Sequence, residues 1–308
     1  MLRFVLGRIL QGFIALIFIS SLVFFLARVI GTPEALFLGE YSTKEDLVKV
    51  RQQLGLDRPL IIQFIDYTKD LLCGEFGNSI TVSAHTPVIK LIGQRVLNSV
   101  KLACVGVVFA MVVSIPLAIM AAARQGSLFD KFVRIIAAVG QSVPIFLVGI
   151  LLIELFSVQM RVLPSFGMGS WKHYLMPGFC MGIFLIAGIT RLLRSSMLDA
   201  LESEYIKLAR IKGVSERVII WKHAFRNSML SPLSFVSVYV AILVTSAIVI
   251  EVVFAWPGLG RLAYEGIVKL DFLVVQGVVI TGAALIIIAN FVGEILYGYL
   301  DPRIKYNK

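Results

Sequence analysis

Three carboxylates interrupt long apolar runs: Glu154, Glu251 and Glu294. An acid placed in hydrocarbon is expensive to ionise and usually faces protein or water. Each could therefore line a polar pathway and attract a cation or an ammonium group, or instead snorkel from a helix end and bond to a neighbouring span. Hydrolysis inside a bilayer would need a nucleophile beside a base, a pair of aspartates or a metal set, and the sequence offers none of these arrangements. His85, His173 and His223 lie on different segments, with no histidine pair at helical spacing and no cysteine pair. Cys104 and Cys180 fall in apolar runs, which leaves Cys73 without a disulfide partner. A Gly-x-x-x-x-Gly-Lys-Ser/Thr phosphate loop is also missing. The polar residues are instead gathered between Arg191 and Arg226 and in the Asn227 that follows. Glu204-Tyr205, Ala209-Arg210-Ile211-Lys212-Gly213 and His223-Ala224-Phe225-Arg226-Asn227 stand there in order. Such a set suits recognition by another protein better than covalent chemistry.

The elements that carry these residues are spans. With 58% hydrophobic residues, 16% charged residues and a mean hydropathy of +0.89, the composition belongs in a bilayer. Backbone groups in hydrocarbon must satisfy one another, which a helix of about 20 apolar residues achieves within one segment. Six stretches qualify: Ile9 to Ala27, Leu102 to Ala123, a third from near Ile135 to just before Arg161, Tyr174 to Thr190, Leu230 to Ile250, and Phe272 to Leu300. Pro144 and Pro177 are expected to kink the third and fourth. The first has the basic start of a signal peptide, but its apolar run is too long and no small-x-small site follows, so it reads as a retained span.

Orientation follows from the cations. If the N-terminus is cytoplasmic, the inner segments 1–8, 124–134, 191–229 and 301–308 hold sixteen of the twenty-nine lysines and arginines, against four in the two short outer loops. This is the positive-inside pattern and places both termini in the cytoplasm. The inner segments carry sixteen bases and six acids, a balance of +10 that equals the net charge of the whole chain. The basic character is thus a topology signal. A nucleic-acid surface would need aromatic platforms on a soluble face, and none is present.

Two regions result: residues 1–95, comprising the first span and an extracytoplasmic segment, and residues 96–308, with five spans and the charged loop at about 191–229. Within the first, Leu47, Val50, Leu54 and Leu56 suggest a helix around residues 43–54 entered through Ser42 or Thr43. Within the charged loop, Leu201, Tyr205, Leu208 and Ala209 put one apolar stripe on a helix whose other face shows Glu202, Lys207 and Arg210. Gly213 can take the left-handed conformation that ends it, and Ser215 can accept from the amides of the next helix, with Glu216 in its first turn. Such a helix could grip a partner or lie on anionic lipid heads. Farther on, Pro257-Gly258 fits the centre of a type II turn and Trp256 a membrane interface. This segment is either an anchored turn between spans or an outer constriction where Gly258 and Gly260 permit close backbone approach.

The loop residues Glu204-Tyr205, Ala209-Arg210-x-Lys212-Gly213, Ile219, His223 and Arg226-Asn227 resemble the coupling-loop signature of inner-membrane permease subunits in ATP-binding-cassette importers of the peptide and nickel family. Leu56-Asp57-Arg58-Pro59-Leu60, Gly74-x-Phe76-Gly77-x-Ser79, Ser142-Val143-Pro144, Leu163-Pro164, Glu251-x-x-Phe254-Ala255-Trp256-Pro257-Gly258-Leu259-Gly260-Arg261 and Asp301-Pro302-Arg303 resemble that family in order, over nearly the whole chain. Where the broader class shows Glu-Ala-Ala ahead of the loop glycine, this chain has Leu208-Ala209-Arg210, which narrows the resemblance to the peptide and nickel branch.

The resemblance implies an all-α integral membrane protein with six transmembrane helices, of the type I importer permease fold, in a bacterial plasma (inner) membrane. It also implies a cytoplasmic coupling helix, before Gly213, that seats on an ATPase. The implied partners are a second, similar permease, two ATPase subunits and an external substrate-binding protein. ATP and magnesium would be bound by the ATPases, with no cofactor or metal on this chain and no catalysis by it. Short peptides are the expected cargo, with nickel or a metal-chelator complex as the alternative. An ion-coupled secondary transporter would want ionisable relays across several spans, and three separated glutamates give that little support. A passive channel would have no use for a coupling rod.

Overall fold

In the computed structural model, residues 2–30 and 57–300 are described, and every regular element among them is helical. The expected helix around residues 43–54 and the motif Asp301-Pro302-Arg303 lie outside the described residues. In chain order the helices are α1 (Leu2–Ile30), α2 (Leu60–Leu72), α3 (Val88–Ala123), α4 (Leu128–Ser142), α5 (Ile145–Leu152, continued by the π-helical stretch Ile153–Gln159) and α6 (Lys172–Glu202). Then come α7 (Glu204–Ile211), α8 (Glu216–Val218), a second π-helical stretch (Ile219–Ala224), α9 (Phe225–Ser228), α10 (Leu230–Val253), α11 (Leu259–Val268) and α12 (Phe272–Leu300).

Four helical segments are long and apolar enough to cross a membrane: Leu6–Leu26, Val88–Ala123, Lys172–Glu202 and Phe272–Gly293. The expected third span is not one rod. Leu128–Ser142 and Ile145–Gln159 meet at a bend of 107°, and they supply a fifth span only if counted together. Proline explains the break, because its ring disfavours helical geometry at the preceding residue and it has no amide to donate. Val143 is accordingly extended (φ −82, ψ 130) and Pro144 opens the next helix. Pro177, by contrast, lies buried near the start of α6 and leaves that helix unbroken.

The chain divides into two compact units. The first comprises Met1–Ser99 and Pro257–Ile287, the second Val100–Trp256 and Ile288–Lys308. Residues 257–287 thus join the N-terminal segment, an association across the chain that a linear boundary between 95 and 96 does not express.

The first unit is centred on Val88, Leu91 and Ile92 of α3, Leu259, Leu262 and Ala263 of α11, and Val274 and Val278 of α12. Phe24 of α1 is buried against the rings of Phe64 and Tyr67 on α2, at centroid distances of 5.4 and 5.1 Å. Such edge-on and tilted pairs align ring edges with ring faces and contribute beyond area burial.

The second unit is organised around α6, which packs chiefly on α4 and α10. Its main core joins Leu102 and Ala110 of α3, Met176, Cys180, Met181, Leu185 and Ile189 of α6, and Leu243, Ala247, Ile250 and Phe254 from α10 and its end. Small residues let the backbones close in. A Cβ on Gly182 would lie 2.6 Å from the Gly106 carbonyl, so α3 and α6 touch backbone to backbone. A smaller core of Ala118, Ile119, Ala122, Leu193, Met197 and Ala224 lies where α3 and α6 end beside the charged loop.

Candidate functional site

The charged loop begins where Ser203 turns extended (φ −68, ψ 153) and splits what the sequence suggested was one helix. Its hydroxyl donates to the carbonyl of Ala200, so it does not cap α7. The break changes the helical faces. Leu201 is left on α6, and the residue that fastens α7 is Ile206, fully buried, while Tyr205, Leu208 and Ile211 are 44, 52 and 83% exposed. The expected stripe of Leu201, Tyr205, Leu208 and Ala209 is therefore not a buried face, and α7 presents aromatic and aliphatic side chains outward.

The end of α7 is closed by backbone bonds. The Gly213 amide donates to the Arg210 carbonyl (3.0 Å) and the Val214 amide to that of Ala209 (3.1 Å), with Gly213 at φ +75. This is the Schellman arrangement, which places the residue after the cap in left-handed geometry and favours glycine there. Ser215 opens the following turn with extended backbone, but its hydroxyl takes no capping bond, contrary to expectation. The segment then runs through the π-helical stretch Ile219–Ala224, which periodicity did not reveal.

The structure brings several of the motif residues together. Asn227 Nδ2 donates to Tyr205 Oη at 3.0 Å, tying the last residue of the signature to one of its first. Lys207 Nζ bonds Glu204 Oε1 at 2.7 Å, and Arg210 Nε bonds Glu216 Oε1 at 2.7 Å across the glycine turn. Ala209 is half-buried and Lys212 exposed, and His223 sits half-buried on the π-helical stretch. Ser228 Oγ donates to the carbonyl of Ser196 on α6 at 2.9 Å, which binds the far end of the loop to the helix it left. Beside these residues opens a cleft of about 390 Å³, lined by Arg124, Leu198, Leu201, Ile220 and the Arg210–Glu216 pair.

The segment around Trp256 departs from expectation in two ways. The left-handed residue is Ala255 (φ 48), not Gly258, which is extended (φ −111, ψ −175) and opens α11. There is thus no type II turn at Pro257-Gly258. Trp256 is fully buried, its ring 4.7 Å edge-on from Tyr174, and so packs within its own chain instead of offering its ring to lipid headgroups. Its amide donates to the Glu251 carbonyl at 2.8 Å, and that of Ala255 to Val252, a Schellman closure with alanine in the glycine position. In the first unit, Asn98 Nδ2 donates to the Pro257 carbonyl (2.9 Å), and the Leu259 amide donates to Ser99 Oγ (2.8 Å). Gly258 and Gly260 are buried there.

The three acids part company. Glu251 is buried at the end of α10. Glu154 is exposed on the π-helical stretch and accepts from Gln159 Nε2 at 3.2 Å. Glu294 is carried by α12, and its side chain lies outside the described residues. Among the described residues no three His, Cys, Asp or Glu side chains lie together as a metal set.

Sequence reasoning missed two acids that are embedded in hydrogen-bond networks. Asp271, in the turn before α12, is buried, and its Oδ2 accepts from Ser79 Oγ and from the amides of Ile80, Thr81 and Val82 at 2.7 to 3.1 Å. Burial opposes its charge, yet the amides of Thr81 and Val82 and the Ser79 hydroxyl hold the carboxyl below its ordinary value. Asp130 is buried at the start of α4 and receives the Arg194 guanidinium. A signal for Asp130 was available, since Ser127-x-x-Asp130 has the spacing of a capping box. Ser127 Oγ indeed accepts from the Asp130 amide at 3.2 Å.

Residues 114–306 match the family described as binding-protein-dependent transport system inner membrane component, and residues 1–121 match its N-terminal companion. The chain is 35% identical over 307 residues to the glutathione transport system permease protein GsiC of Salmonella typhimurium (strain LT2), covering 99% of this chain and 100% of that one. The protein of the same description from Escherichia coli (strain K12) is likewise 35% identical at the same coverage. Among solved structures, inward-facing conformations of the MetNI methionine ABC transporter are similar at a TM-score of 0.58 and 16% identity, over 68% of this chain and 96% of that one, a likeness of fold. The chain belongs to the inner-membrane permease components of binding-protein-dependent transport systems, in the peptide and nickel branch of ATP-binding-cassette importers.

Proposed function

We propose that this chain is one of two permeases lining the pathway of an importer for short peptides, and that α7 is the part through which ATP hydrolysis drives it. The observation that carries the reading is the build of α7. One residue, Ile206, buries it, three large side chains face outward, and the loop beyond is tied back by Tyr205–Asn227 and Ser228–Ser196. A short rod with an exposed aromatic and aliphatic face suits insertion into a groove on another protein. Two ATPase subunits would hold ATP and magnesium, a second permease would complete the pathway, and an external binding protein would deliver cargo. Residues 96–308 would form the permease domain proper.

Six spans follow if the bent pair is one span and α10, a 24-residue helix, is another. With the cation bias, this gives a multi-pass protein of the bacterial plasma membrane with both termini in the cytoplasm. Trp256, Pro257, Gly258 and Gly260 would then act at the outer mouth as a braced corner rather than a side-chain gate, since Trp256 is buried within its own chain. Of the two acids whose side chains are described, Glu154 is exposed and Glu251 buried, so Glu154 is the better placed to meet cargo or a partner.

Relatives named for glutathione, a tripeptide, favour peptide cargo over nickel or a metal chelate. Family membership leaves no role for ion-coupled secondary transport. The test is uptake into proteoliposomes holding the full complex, with labelled di- and oligopeptides and glutathione competing against nickel with and without chelator. Competition by peptides alone supports the reading, and uptake of nickel that peptides leave untouched would transfer it to the metal branch.

A further inference from the structure

The bond between Asp130 and Arg194 belongs to none of the surfaces discussed so far. Asp130 is buried and its carboxylate is fully engaged. Arg194 Nε donates to Oδ1 and Arg194 Nη2 to Oδ2 at 2.7 Å, the Gly126 amide donates to Oδ2 at 3.0 Å, and Arg134 approaches within 3.8 Å. Two parallel bonds to one carboxylate fix orientation as well as distance. The two residues stand on antiparallel helices, because Gly140, one helical stretch beyond Asp130, faces Ala187 and Ile183, which precede Arg194. Arg194 is eight positions before Glu202, the last residue of α6, and Ser203 then leads directly into α7.

What lies beyond α4 gives the pair its meaning. After the 107° bend, α5 packs Gly149 so closely that a Cβ added there would lie 3.2 Å from the side chains of Phe254 and Val253, next to the left-handed Ala255. Apolar helix faces can slide past one another by small amounts, and such shear is a common form of domain motion. A buried bidentate ion pair cannot slide without leaving a charge unpaired in the interior. We infer that Asp130–Arg194 is a positioning pair that forbids shear between α4 and α6, so that a displacement of the coupling helix α7 carries α4 with it and arrives at the Phe254–Ala255 corner. This rests on the reading that α7 receives the thrust of the ATPase.

The test uses the complete complex in proteoliposomes, with ATP hydrolysis, peptide uptake and co-purification of the ATPases measured side by side. In Asp130→Asn the ATPases remain bound and hydrolysis continues, while peptide taken up per ATP falls about tenfold. Arg194→Lys, which keeps the charge but loses the fork, falls less, and the exchanged pair Asp130→Arg with Arg194→Asp regains part of the ratio. Wild-type uptake per ATP in Asp130→Asn overturns the inference and leaves the role of α7 standing. Hydrolysis and uptake falling in parallel at a constant ratio also overturns it, as a merely structural pair would behave. A wild-type complex without ATP-driven uptake refutes the role of α7, and the positioning role with it. If Asp130→Asn does not assemble, Arg194→Lys decides, and an unchanged ratio there is equally fatal.

Discussion

The helix ends at Gly213 and at Ala255 are closed by the same pair of backbone bonds and are otherwise opposites. At Gly213 a glycine supplies the positive φ, the loop is exposed, and a Cβ added there would meet nothing within 4 Å. At Ala255 an alanine is held at φ 48, where L-residues are disfavoured by about 1 to 2 kcal/mol. There the flanking Trp256 and Phe254 are buried, and the Gly167 amide donates to the Phe254 carbonyl at 2.9 Å. A third end, at Leu270, carries leucine at φ 56 and is followed by the buried Asp271 with its ring of donors. Strain of this kind persists only where surroundings over-determine the conformation. The lesson is a division of labour. The charged loop is conformationally relaxed and leaves Tyr205, Leu208 and Ile211 exposed, while the other two corners are fixed from within.

If that contrast holds, the largest effect of a single substitution belongs to Asp271. Asp271→Asn turns an amide toward amide donors, and removing charged hydrogen bonds of this kind lowers stability by about 3 kcal/mol, read as a lower melting temperature of the detergent-solubilised protein. A pH series sharpens the point. Because the folded carboxyl lies below its ordinary value, its stabilisation is full above about pH 3.9 and is lost as pH falls through the folded value. Wild type should lose stability on acidification in that window more steeply than Asp271→Asn does, and matching curves would remove Asp271 from the explanation.

Gly213 should show the reverse profile, with function affected more than stability. Gly213→Val should leave the protein folded yet uncouple hydrolysis from uptake, because a β-branched residue resists φ +75 while no neighbour is struck. Gly213→Asn, which tolerates left-handed geometry, should retain most coupling. Equal coupling in the two variants would show that the turn's conformation is irrelevant.

At Ala255 a smaller change is expected. Ala255→Gly relieves the backbone but loosens the unfolded chain, so stability should move by less than about 1 kcal/mol, whereas Ala255→Val should lower it by about 1 to 2 kcal/mol. Thermal melts of the two variants decide this.

The smallest effect falls on the loop's surface charges. Arg210 is already paired with Glu216 in the open, and exposed pairs contribute at most about 1 kcal/mol. Lys212→Glu should reduce co-purification of the ATPases at moderate salt more than Arg210→Ala does. The opposite ranking would mean that Arg210 meets the partner directly.

How much of this was legible in the residues follows from the range of the forces involved. Apolar runs announced four of the six expected spans, since the bilayer imposes a length, and Gly213 announced its turn, since few residues can adopt it. Pro144 predicts a kink, and the bend is 107°, because its size depends on the α10 and α6 surfaces that receive α5. Ser203 hid the start of α7 by bonding backward to Ala200. The stripe through Tyr205 and Leu208 misled because apolar spacing cannot say whether a face is covered by its own chain or kept for another. Asp271 was invisible, since its donors lie about 190 positions away and no local pattern joins them.

The bend at residues 142–145 bears on the lipid around this protein. Fifteen residues of α4 make a rod of roughly 22 Å, and α5 with its π-helical extension is no longer, whereas the hydrocarbon layer is about 30 Å thick. Neither half spans alone. The hydroxyl of Ser142 and the exposed Glu154 and Gln159 would add polar groups at depth if lipid were their surroundings. A bilayer around such an element must thin, or another protein surface must cover it. The second route makes association with a partner a requirement of the membrane as well as of transport, so the isolated subunit should be more sensitive to acyl-chain length than the assembled complex.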